Sequence, residues 1–113
     1  MQEEGREYIT PEIEKRQHRR ARLVTQVQCE ALGREGIMVT RDVSVGGMFV
    51  STKNPFPQDC EVALSFRLRA ADSPLSCKGK IVYAIPGMGM GIEFAGLSEE
   101  ARQVLQKFVD EAD

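Results

Sequence analysis

The clearest pattern in the chain is an alternation in which Val62, Leu64, Phe66 and Leu68 are separated by Ala63, Ser65 and Arg67, with Arg69 following. Successive side chains of a strand point to opposite faces, so one apolar face and one mixed face predict a half-buried antiparallel strand. The same period governs residues 22–32, where Leu23, Val27, Cys29 and Ala31 share one face and Gln26, Gln28 and Glu30 the other. Gly33-Arg34-Glu35-Gly36 is a turn signal, and 37–41 resumes extended structure as the second arm of a hairpin. A bend over Asp42–Gly47 leads into a third strand at 48–52. The two prolines of 53–59 fix φ and remove ladder donors, which makes that stretch a loop. Beyond the turn at 70–74, Leu75, Cys77, Ile81 and Tyr83 alternate inward against Ser76, Lys78 and Lys80. Pro86-Gly87 turns the chain again into Met88, Met90, Ile92 and Phe94, which read as core positions. The intervening Gly89 and Gly91 signal close backbone approach or strong curvature.

After Gly96 the period lengthens to that of a helix. Ala101, Val104, Leu105, Phe108 and Val109 fall on one stripe, Ser98 is placed to cap, and Glu99 and Glu100 sit at the positive end. The fold class predicted is all-β with one helix: a six-stranded antiparallel β-barrel and a C-terminal amphipathic α-helix at about 98–110 that covers an open end or face.

Length and composition narrow this further. A chain of 113 residues builds one core rather than two. Residues 1–14, with Glu3, Glu4, Glu7, Glu12 and Glu14 and few apolar side chains, are expected to form a flexible segment ahead of a barrel domain over 15–113, and a short helix at 11–19 is compatible with Pro11 in its first turn. No apolar run approaches the roughly 20 residues that span a bilayer, and the polar, acidic start does not resemble a secretory signal, so a cytoplasmic protein without a membrane partner is expected. Cys29, Cys60 and Cys77 fit neither a paired framework nor a metal-ligand spacing, and His18 is the single histidine. Reduced thiols, no metal and no cofactor are expected. The absence of a nucleophile–base pair or a carboxylate cluster disfavours an enzyme.

The net charge of −2 conceals a concentration of cations: Lys15, Arg16, Arg19, Arg20 and Arg22 lie within eight residues. That density suits a local anion site better than a generally basic surface. Arg16 and Arg20 form an RxxxR pattern, and Asp42, Ser44 and Gly47 form DxSxxG some twenty residues later. Together, in this order and with this strand context, they resemble the paired signature of the PilZ domain, the bacterial receptor module for cyclic di-GMP. The resemblance extends over about residues 14–110, with the arginines ahead of the first strand, an apolar strand after the second motif and a glycine-rich last strand leading into a helix.

The resemblance implies a six-stranded PilZ-type barrel whose ligand lies on the outer surface under an N-terminal arm. It implies a ligand-binding set of Arg16, Arg20, Asp42, Ser44 and Gly47, with Lys15, His18, Arg19 and Gly46 as secondary candidates. A cation at Lys15, just before the first arginine, leaves one ligand and a stacked pair both open. The partners implied are cyclic di-GMP and a protein effector, acting on a monomer or a ligand-dependent dimer. The chemistry fits: an arginine fork matches guanine O6 and N7 or a phosphate, and Asp42 can accept from guanine N1–H and its amino group. Each residue also has a plainer role. A basic run is usually solvated, Asp and Ser serve turns, and a lone histidine is usually a surface residue. Two other functions stand beside the receptor: a small barrel whose basic arm binds RNA or DNA, which the scarcity of aromatics on the strands disfavours, and a PilZ-like interaction module that binds no nucleotide.

Overall fold

The computed structural model describes residues 19–112. The expected segment at 1–14, the helix at 11–19 apart from Arg19, and Lys15, Arg16 and His18 lie outside the described residues. Six strands follow in order: β1 (Arg20–Ala31), β2 (Arg34–Ser44), β3 (Gly47–Ser51), β4 (Glu61–Phe66), β5 (Leu75–Ile85) and β6 (Gly89–Ala95). Helix α1 (Glu99–Glu111) comes last. The strands form a closed barrel in the order β1-β2-β3-β6-β5-β4, antiparallel throughout, with β1 and β4 pairing over Val27–Glu30 to seal it. The barrel with a C-terminal helix is the fold expected.

Several boundaries move. β1 and β2 are joined through Leu32 and Gly33 alone, at φ 55° and 73°, as a type I′ hairpin turn requires at both central positions. β2 therefore begins at Arg34, inside the expected turn. It also runs on through Asp42 and Ser44, so the expected bend at 42–47 shrinks to Val45-Gly46. Arg20 is the first residue of β1, paired with Ser44, and not ahead of the strand.

The interior is filled by the inward residues of the strands, among them Val27, Cys29, Val43, Val50, Val62, Leu64, Ile81 and Met90. Phe56, from the proline loop, is also buried in this core, with the Arg34 guanidinium 4.5 Å above its ring. Helix α1 starts as the sequence predicts: Ser98 Oγ accepts the Ala101 N–H at 3.0 Å, satisfying one of the donors that a helix start leaves unpaired. It buries Ala101, Leu105 and Val109. Val104, expected on that stripe, is exposed, and so is Met88, which lies in the turn before β6. Cys77 is only half-buried.

Three β-bulges interrupt the ladders, between Arg22 and Thr25 of β1, Thr40 and Asp42 of β2, and Ile81 and Tyr83 of β5. A bulge adds one residue on one strand and re-aims the side chains beyond it. On β2 the extra residue is Arg41, and Thr40 holds the irregularity in place: its buried hydroxyl donates to the Phe49 carbonyl at 2.8 Å, with the Asp42 carbonyl at 3.1 Å.

Candidate functional site

The three bulges border one lateral row of the sheet. Arg22 pairs with Asp42, Asp42 with Phe49, Phe49 with Gly91 and Gly91 with Tyr83. Met48 and Val50 beside Phe49, and Met90 and Ile92 beside Gly91, are buried, so the row faces outward. Tyr83 is thus not the inward residue its spacing from Ile81 predicts, because the extra residue at Val82 reverses the phase.

Arg20 reaches this row from the start of β1. Its Nε donates to Asp42 Oδ1 at 3.1 Å, and its Nη2 donates to the same oxygen. The side chains are 40% and 36% exposed, which makes this a surface ion pair worth only about 0–1 kcal/mol. Of the arginines expected in the site, Arg20 is the one placed there among the described residues. Arg19 donates instead from Nη2 to the Ala112 carbonyl at the end of α1, at 3.0 Å.

Ser44 and Gly47 lie close by but underneath. Ser44 is 2% exposed, and its Oγ accepts the N–H groups of Gly46 at 3.1 Å and Gly47 at 3.2 Å. The hydroxyl closes the β2–β3 connection from within. A Cβ on Gly47 would lie 2.0 Å from the Ile92 carbonyl oxygen, so the backbone that approaches this glycine is that of β6. The Gly46 carbonyl accepts the Phe94 N–H at 2.8 Å, tying the connection to the same strand.

The residues the sequence reading missed are Phe49 and Tyr83. Their rings stack with centroids 6.3 Å apart and 27° between planes. They lie over the glycines of β6: a Cβ on Gly91 would be 2.2 Å from the Tyr83 ring, and one on Gly89 would be 2.7 Å from the Phe49 ring. The glycine spacing of β6 was the available signal: the close approach at Gly91 is made by the Tyr83 ring, and that at Gly89 by the Val50 carbonyl oxygen, 2.3 Å from a Cβ there, with the Phe49 ring next. Burial pushes the Tyr83 phenol up, with the charge of Arg20 pulling it down and that of Asp42 pushing it up, so the ring senses both members of the ion pair. The arrangement offers a carboxylate acceptor, a guanidinium fork and an aromatic shelf within one outer wall. No group of histidine, cysteine, aspartate or glutamate among the described residues could hold a metal ion, and no helix among them is long and apolar enough to cross a membrane.

These features define a class: a small antiparallel barrel whose candidate site is spread over the outside of its wall. The chain belongs to the PilZ domain family, whose model matches residues 14–111. Comparison with curated proteins gives no match. Among solved structures, the chain is similar to the inhibitor of motility MotI/DgrA of Bacillus subtilis, with TM-score 0.73, 18% identity and coverage of 83% of this chain and 49% of that one. The chain therefore spans about half the length of the Bacillus subtilis protein. It is similar to the PilZ domain of Escherichia coli YcgR with c-di-GMP, with TM-score 0.70, 13% identity and coverage of 85% and 89%. A third neighbour is the PilZ domain of CeSA from a cellulose-synthesizing bacterium, with TM-score 0.60, 20% identity and coverage of 80% and 94%.

Proposed function

We propose that the outer wall is a receptor site for cyclic di-GMP, and that the protein is a non-catalytic receptor and adaptor that passes the level of this messenger to a protein partner. The observation that carries the reading is the meeting of the Arg20–Asp42 pair and the Phe49–Tyr83 shelf on one row of the barrel wall. Membership of a family of receptor modules, and a neighbour described with c-di-GMP, support it.

Cyclic di-GMP carries two guanines and two phosphodiesters. An exposed ion pair is inexpensive to open, so Asp42 can exchange Arg20 for the N1–H and amino group of a guanine. The released fork then turns to guanine O6 and N7 or to a phosphate. A purine face laid on Phe49 and Tyr83 adds stacking, worth about 1–3 kcal/mol per base. Ser44 and Gly47 serve this site by fixing the connection beneath it, and Arg16, Lys15 and His18, which precede β1 in the sequence, add hydrogen-bond donors for the ligand.

Calorimetry of the full chain with cyclic di-GMP, GTP and a short RNA, each at two salt concentrations, is the test. Saturable binding of the dinucleotide is expected, at least about tenfold weaker in Arg16→Ala and in Arg20→Ala, since a charge-assisted hydrogen bond contributes roughly 1.5–3 kcal/mol. Tyr83→Ala weakens binding and Tyr83→Phe keeps it. The same rings could receive an RNA base, so RNA binding with a steep salt dependence and no dinucleotide binding moves the assignment to nucleic acid. Parental affinity in both arginine variants removes the site.

A further inference from the structure

We propose that the apolar part of the outer wall, one sheet row beyond the site, docks a segment of a partner protein whose apolar side chains are flanked by carboxylates. This deepens the receptor reading by giving the partner a chemistry, and it is tested without nucleotide so that the two can fail separately.

The row runs Gln26, Val39, Ser51, Gly89 and Ile85 across β1, β2, β3, β6 and β5. Val39 and Ile85 are 41% and 40% exposed, and only a serine and a glycine stand between them. The Phe49 ring leans over Gly89, which makes this apolar surface continuous with the row that carries Asp42 and Tyr83. Met88, next to Gly89, is 58% exposed, and Val24 at the β1 bulge is 63% exposed. Single exposed apolar side chains are ordinary, but a contiguous tract on one wall marks an interaction surface.

The charges along the tract decide its occupant. Arg41, the extra residue of the β2 bulge, reaches across to Ser51 Oγ at 3.4 Å. Lys53, whose carbonyl accepts the Gly87 N–H at 3.1 Å, stands beside Met88. The one carboxylate in these two rows is Asp42, engaged by Arg20. A second copy of the same tract would bring like charges together, whereas glutamates flanking an apolar stripe would meet opposite charges on both sides. An amphipathic acidic helix laid on the sheet provides that pattern.

The probe is an amphipathic helical peptide with a leucine stripe flanked by glutamates, set against a twin carrying lysines in their place. Backbone amide shifts of the full chain are followed by NMR without nucleotide. The glutamate peptide is expected to shift Val39, Arg41, Ser51 and Met88 saturably, and the lysine twin to bind at least about fivefold more weakly. Arg41→Glu reverses the preference, and Val39→Asp, a change on the surface, removes binding. Absence of a saturable shift, equal binding of the twins, or shifts centred elsewhere overturns the proposal. Concentration-dependent shifts of these amides in the chain alone would assign the tract to a second copy. Their displacement on deletion of residues 1–18 would assign it to the chain's own leading segment, and either result also overturns it. Peptide failure with intact cyclic di-GMP binding removes the docking surface alone, and the reverse removes the receptor reading alone.

Discussion

Ser44 acts from beneath the site. Its residue type and its spacing from Asp42 and Gly47 were legible in the sequence, and so was turn chemistry as one of its two roles, but burial against two backbone N–H groups is a tertiary fact. Gly47 likewise answers to the Ile92 carbonyl, a neighbour 45 positions away that no local pattern announces. The thiols follow their surroundings in the same way. Burial pushes Cys29 and Cys77 from 9.0 up to about 11. Unfolded, both would ionise near 9.0, so the folded state holds two protons that the unfolded chain releases between 9.0 and about 11. Their contribution to stability is complete below that interval and is lost as pH rises through it. The urea midpoint is expected to fall across this range, and Cys29→Ala should flatten the fall; parallel slopes in parent and variant would contradict it.

Among the elements, the strands and the helix follow from residue periods, whereas the three bulges do not. An inserted residue leaves an apolar or polar type at every position, so the count of two still places Tyr83 with Ile81 while the ladder places it opposite Gly91. What the sequence carried was the consequence on the facing strand, where Gly89 and Gly91 leave space for the rings. The β1–β2 turn offers the converse case, an element whose residue disagrees with its shape. Leu32 holds φ 55°, a left-handed conformation that costs an ordinary side chain roughly 1–2 kcal/mol and that asparagine tolerates. Leu32→Asn creates the Asn-Gly pair favoured in type I′ turns and is expected to raise stability by about 1 kcal/mol in denaturant titration. A neutral or lower midpoint would mean that Leu32 makes a compensating contact.

At the scale of the molecule, the site and the helix meet through adjacent arginines: Arg20 holds Asp42 and Arg19 holds the Ala112 carbonyl. The last turn of α1 contains no basic residue of its own, and cations there favour a helix end. Arg69 assists from the other side, 3.4 Å from Glu111 and 5.0 Å above the Phe108 ring. Arg19→Ala is expected to speed amide exchange at residues 109–112 while changing global stability by less than about 1 kcal/mol. Exchange equal to the parent's would show that the contact does not hold the helix end.

The order of the strands around the barrel has a consequence for synthesis. β3 and β5 are not paired with each other, and whereas β3 joins the shared row through β2, β5 joins it only through β6. A nascent chain that has emerged as far as residue 88 already carries Arg20, Asp42, Phe49 and Tyr83, yet nothing fixes the tyrosine beside the others. The wall is assembled by a segment that leaves the ribosome after all four of these residues, so a product cut short before residue 89 keeps the motif residues and lacks the surface they form.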